Sequence, residues 1–208
     1  MDYAYSFFTN FRLFRLFRIL FFLFAIGIVG FFSLPYLMVA PAEGGRADVI
    51  LHGAIDPHLK TDEYVARLFR EGRAGDVLCF STQVSWEAYP ADYVARHLVE
   101  LGVPADRVHV LHLPIEPCGA YNAPRVVDYL RSKGWKSAIL ITSPDSSRMA
   151  GWSTRKRFAK SGIPLIVSYA PEDREELFRG WWRTHWKIQD IVDQLMVFTL
   201  DQVYAECR

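Results

Sequence analysis

The stretch from Ser137 to Ser161, SAILITSPDSSRMAGWSTRKRFAKS, constrains the fold more than any other part of the chain. Ala138 to Ile141 is an apolar run of strand length without polar alternation, the pattern of a strand covered on both faces. The character then changes within three residues. Thr142, Ser143, Pro144, Asp145, Ser146, Ser147 and Arg148 bring hydroxyls, a carboxylate and a guanidinium to the strand's carboxyl end. A helix follows, with Asp145 or Ser146 as its N-cap. Open amides at a helix start, the positive end of its dipole and Arg148 suit an anionic or hydroxyl-rich ligand. Ligands of open α/β sheets bind at this edge. The plainer reading is that these are loop residues and caps, since loops are polar in any case.

The rest of the chain repeats the strand–turn–helix rhythm. Strands are expected at Asp48–Leu51, Asp76–Phe80, Val108–Leu113, Ala138–Ile141 and Leu165–Val167, the last ending at Val167 or at Tyr169. Helices are expected at Thr61–Glu71, at Tyr89–Leu101 (stopped by Gly102 and Pro104) and from Gly119 or Tyr121 to Lys133. One more follows the Ala138 strand, and a long final one spans Gly180–Arg208. Strands alternating with helices of this length imply βαβ units: an α/β fold of three layers around a five-stranded, mostly parallel sheet with right-handed crossovers.

Ahead of that domain lies a different kind of segment. Ile19 to Ala40 carries no charged residue and is dominated by Phe, Leu, Ile and Val. A membrane-spanning helix needs about 20 such residues, whereas a soluble helix of that length normally keeps a polar face. Arg12, Arg15 and Arg18 precede the run, so the positive-inside rule places the N-terminal arm in the cytoplasm and the domain outside it, in the periplasm of a bacterium. A cleaved signal peptide is the rival, with Ala40-Pro41-Ala42 loosely resembling a cleavage site; the apolar run exceeds the usual core of about 7–15 residues, which favours an anchor. The expected organisation is a basic arm at 1–18, a transmembrane helix at 19–40, a linker at 41–46 with Gly44-Gly45 as its flexible point, and an α/β domain at 47–208.

Composition narrows the function classes. The formal net charge is +1, and beyond the arm the chain is close to neutral, so the broad basic surface of a nucleic-acid binder is missing. Three cysteines, Cys79, Cys118 and Cys207, match no zinc spacing; Cys79 reads as a buried small hydrophobe, and the other two have no sequence-determined pairing. There is no G-x-S-x-G elbow, no P-loop and no dinucleotide fingerprint after the first strand. His52, Asp56 and His58 are weakly spaced metal ligands, and no metal site is expected. His109 and His112 point to opposite faces of their strand.

Polar groups gather at the carboxyl ends of four strands: 52–56, 81–85, 112–116 and 142–148. The ligand-binding candidates are Ser81, Asn122, Thr142, Ser143, Asp145, Ser147 and Arg148; no catalytic residue and no cofactor can be assigned. Trp181, Trp182 and Trp186 either stack on sugars, rest at headgroup level or pack the last helix on the sheet, and for two of the three the packing reading fits at least as well as the others.

The order of these motifs resembles the SanA/ElyC/YdcF-like family of bacterial envelope proteins, which carry a domain of unknown function. The resemblance covers roughly residues 47–205 and rests on ILITSPDSSRMAGWSTRKRF, on Leu101-Gly102-Val103-Pro104 and on Asn122-Ala123. Thr142 and Ser143 match the family's T-S and Arg148 its arginine; Ser146 stands where the family has histidine, and His52-Gly53-Ala54 where it has a glycine run. The resemblance implies a Rossmann-like fold and a role in envelope integrity, through peptidoglycan precursors or lipid carriers. The expected function is a single-pass inner-membrane protein whose extracytoplasmic domain binds or processes a polar glycan or phosphorylated lipid-linked precursor. The alternative is a scaffold or regulatory partner without chemistry, marked by an exposed apolar face on the last helix.

Overall fold

The computed structural model describes residues 2–53, 60–84, 88–114 and 123–203. Asn122 lies outside the described residues, as do Asp56, His58, Cys118 and Cys207. The chain divides into two compact units, one ending at Leu37 and one comprising Met38–Arg208. The first is helix α1, Asp2–Met38, of which Phe14–Met38 is long and apolar enough to cross a membrane. Its side chains from Phe14 to Val29 are almost all exposed, as suits a helix that meets lipid rather than a protein core.

The second unit is an α/β domain. Its sheet contains β1 (Val49–His52), β2 (Asp76–Thr82), β3 (Val108–Leu113), β4 (Ala138–Ile141) and β5 (Leu165–Ser168). All four pairings are parallel, in the order β3-β2-β1-β4-β5. The unbroken apolar sequence of β1 and β4 follows from this order, because inner strands are covered on both faces and every residue is buried. Edge strand β3 is half-exposed for most of its length and accommodates two histidines. His109 bonds Asp76 on one face, and His112 bonds Asp92 and stacks on Tyr89 on the other.

Helices α2 (Lys60–Arg70) and α3 (Pro90–Glu100) cover one face of the sheet. Val65, Leu68, Val94 and Leu98 pack there on Ile50, Val77, Ile139 and Ile141. Helices α4 (Ala123–Ser132) and α5 (Ser147–Ser161) cover the other face, where Val126, Val127, Leu130 and Phe158 meet Val49, Leu51, Leu78 and Leu140. Two crossovers on one face followed by two on the other is what right-handed connections require once the chain returns to the far side of β1. The strand order therefore reverses between β1 and β4. Ligands of open parallel sheets bind in the crevice at such a reversal.

The C-terminal part departs from the sequence expectation. Ahead of Gly180 lies a helix not expected from the sequence, α6 (Pro171–Phe178), and in place of one helix from Gly180 there are a 3-10 turn (Trp181–Arg183) and α7 (His185–Val203). Gly180, at φ +72°, takes the left-handed conformation that separates them. Helix α6 buries none of its residues and is held to α2 by ion pairs, Arg67–Glu172 at 3.1 Å and Lys60–Glu176 at 2.6 Å. Charge rather than apolar periodicity holds it, which is why a search for apolar stripes passes over it.

Candidate functional site

The turn between β4 and α5 is tightly organised. Thr142 is buried, and its N–H continues the sheet by donating to the Ser168 carbonyl at 3.1 Å. The Ser143 hydroxyl donates to that of Ser146, the N-cap of α5, at 2.9 Å. Ser147 is fully buried; its hydroxyl donates to the Pro144 carbonyl at 2.6 Å and accepts the Ala40 N–H at 2.9 Å. Arg148 donates to the Val39 carbonyl at 3.1 Å, and the Tyr169 hydroxyl to that of Ala40 at 2.9 Å. Farther along, the Glu43 N–H donates to the Val167 carbonyl, the Glu43 carboxylate accepts the Val167 N–H, and Arg155 pairs with that carboxylate. Residues 39–43, immediately after the apolar helix, are thus bonded to the domain beside its carboxyl edge.

This assigns the sequence candidates different tasks. Thr142, Ser143, Asp145, Ser147 and Arg148 share one turn. Within it, Ser147 and Arg148 hold the segment entering the domain. Ser81 lies at the end of β2, separated from β4 by β1, so it is about 10 Å from the turn across the sheet. Its hydroxyl accepts the Ala91 N–H at 3.0 Å and satisfies an open amide at the start of α3. The half-buried Asp145 faces α7, where burial first, then the charges of Asp145 and Asp193, raise the pKa of Asp190 above the ordinary carboxylate value.

A second group was not legible as a unit in the sequence. His52, the last residue of β1, is 2% exposed and points to the α2–α3 face beside Cys79, its register partner on β2. Its Nε2 lies 2.7 Å from Oδ1 of Asp62 in the first turn of α2, and Nδ1 of His97 on α3 lies 2.8 Å from Oδ2. Asp62 is 1% exposed. A carboxylate accepts only, so both histidine nitrogens donate to it, and the tautomer of His52 protonated at Nε2 leaves its lone pair on Nδ1. That Nδ1 is buried without a hydrogen-bond partner. Leaving such a group unsatisfied costs about 1–3 kcal/mol. Burial, and then the charge of Asp62, push the Cys79 thiol up to about 12, so it stays protonated at neutral pH and is not a nucleophile. The signal available in the sequence was a carboxylate at Asp62, on the same helical stripe as Val65 and Ala66. Nothing tied it to histidines 10 and 35 residues away.

Among the described residues, no group of three or more His, Cys, Asp or Glu is placed to hold a metal ion. The sheet order and the polar groups at its reversal define the class: a parallel α/β domain with its candidate site at the carboxyl edge, beside β1 and β4, following a helix able to span a membrane. No family model matches the chain, and no curated protein matches it.

Proposed function

We propose that this is a membrane-tethered envelope protein of the SanA/ElyC/YdcF-like kind. In this reading its domain binds or processes a polar glycan or phosphorylated lipid-linked precursor at the carboxyl edge of the sheet. The observation that carries the reading is the bonding of Val39 and Ala40 to Arg148, Ser147 and Tyr169. The apolar segment ends at Met38, and these two residues follow it directly. A domain tethered in this way suits ligands carried at a membrane surface. With Arg12, Arg15 and Arg18 ahead of the span, the arm is cytoplasmic and the domain extracytoplasmic, on the inner membrane.

The test is binding of a short-chain polyprenyl-phosphate-linked sugar by the full chain in detergent micelles. Thr142→Val and Ser143→Ala are expected to weaken binding about tenfold, the equivalent of ~1.4 kcal/mol. Unchanged affinity in both variants overturns the assignment of this edge.

One observation favours a second reading, a non-enzymatic scaffold or regulatory partner. Helix α7 continues an apolar stripe beyond the buried Ile191, with Val192, Leu195 and Met196 exposed. If Leu195→Asp abolishes function in cells while the Thr142 and Ser143 variants do not, the scaffold reading replaces the first.

A further inference from the structure

His52 occupies a position where an apolar residue would serve the core. Its neighbours on that face are Ile50, Cys79, Val65 and Ile141. Instead the fold places a histidine there, holds its Nε2 with a buried carboxylate, and ties the other oxygen of that carboxylate to His97. The arrangement fixes the ring and its tautomer and leaves one lone pair, on Nδ1, without a protein donor. This atom belongs to the last residue of the central strand, beside β4, at the reversal of strand order. Gly53, directly after it, packs against the edge of the Phe80 ring, where an added Cβ would lie 2.5 Å from the ring. The backbone beyond His52 is thus kept without a side chain.

We propose that Nδ1 of His52 is a ligand-contacting acceptor that takes a hydrogen bond from a neutral hydroxyl of the bound molecule. Building on the reading of this edge as a glycan or phosphate site, it narrows the group recognised at this position to a sugar-type alcohol. A phosphate monoester dianion has no proton to donate to Nδ1 and would meet the negative charge of Asp62. A hydroxyl supplies the missing donor without adding charge. Asp62 is a positioning residue that holds the acceptor tautomer, and His97 holds Asp62.

The experiment is side-chain 15N NMR of histidine in the full chain in detergent micelles, with the rim amides of Ser143 and Asp145 followed in the same samples. The probes are methyl glucoside, glucose 1-phosphate, inorganic phosphate and ethylammonium. His52→Leu assigns the His52 signals. Asp62→Asn, which keeps the ring but releases the tautomer, serves if His52→Leu fails to fold. In the parent, His52 is expected to show a protonated Nε2 and an unprotonated Nδ1. Methyl glucoside and glucose 1-phosphate shift Nδ1 while Nε2 stays bound to Asp62, and Asp62→Asn weakens that response at least tenfold. A protonated Nδ1 in the unliganded protein overturns the inference. So does a Nδ1 that responds only to ethylammonium or only to inorganic phosphate. Rim amides that shift while Nδ1 does not would remove His52 from the site and leave the edge assignment standing. Silence of both to every probe counts against both.

Discussion

Replacing Asp62 by alanine tests the buried His52–Asp62–His97 group most sharply. The carboxylate is 1% exposed and accepts two hydrogen bonds, at 2.7 and 2.8 Å. Its loss leaves Nε2 of the fully buried His52 without a partner, a desolvation penalty of about 1–3 kcal/mol. The His97 side chain is 23% exposed, so water can replace its lost bond, and its share is about 0.5–1.5 kcal/mol. Together these give a destabilisation of about 1.5–4.5 kcal/mol. For a unit of this size that corresponds to a fall in Tm of roughly 5–15 °C. The assay is thermal unfolding of the full chain in micelles, followed by tryptophan fluorescence. His97→Ala leaves Oδ2 of the buried Asp62 without its donor and should cost about 1–3 kcal/mol. The double variant Asp62→Ala/His52→Leu should recover about half of the loss, because replacing both members of a buried polar pair removes the orphaned donor. An Asp62→Ala variant as stable as the parent, or a double variant with strictly additive losses, refutes the reasoning.

Three further outcomes follow from the geometry. Ser147→Ala removes the acceptor of the Ala40 N–H, so it should destabilise by about 1–2 kcal/mol and speed tryptic cleavage after Arg46, read by timed proteolysis and mass spectrometry. Gly53→Ala drives a Cβ into the Phe80 ring and should destabilise by about 1–3 kcal/mol, with Phe80→Leu relieving much of that loss in a thermal double-mutant cycle. The attachment of α6 to α2 should fail in acid. The Glu172 pKa is lowered by its hydrogen bond from Arg67, and that of Glu176 by its hydrogen bond from Lys60. A depressed carboxylate pKa gives stability that is complete above the ordinary value of 4.5 and is lost as pH falls through the depressed one. Glu172→Gln with Glu176→Gln should therefore flatten the acid limb of the stability profile and remove its salt dependence, while changing little at high salt, since both pairs are exposed.

The parts of the fold that were legible in the sequence are those governed by local pattern. β3 and β4 fall on the residues expected from their apolar runs, and the other strands shift by a residue or two. The opposite faces of His109 and His112 follow from strand geometry alone. The sheet is fully parallel where a mostly parallel one was expected. What escaped depends on partners distant in the chain. Helix α6 has no apolar stripe and is held by charges on α2. Only Trp181 of the three tryptophans is buried, while Trp182 and Trp186 are exposed; residues 181–183 form a 3-10 turn and α7 starts only at His185, so the three do not share one helix. Ser147 and Arg148 look like ligand groups by type and position, but their bonds to residues 39 and 40 become apparent only when the entering segment is placed. The sequence sets His52 beside Asp56 and His58, whereas its partner is Asp62, in the first turn of α2.

The account depends above all on the segment that follows the candidate span being bonded to the carboxyl edge of the sheet. Pairs of spin labels on a cysteine-free background, one label at Ala42 and the other either at Ser143 on that edge or at Lys133 in the turn at the opposite edge, measure this by their mutual distances in the full chain. Strands of this length set the two edges about 15 Å apart or more. The Ala42–Ser143 pair should be the closer of the two. An Ala42–Lys133 pair closer than the Ala42–Ser143 pair would contradict the account.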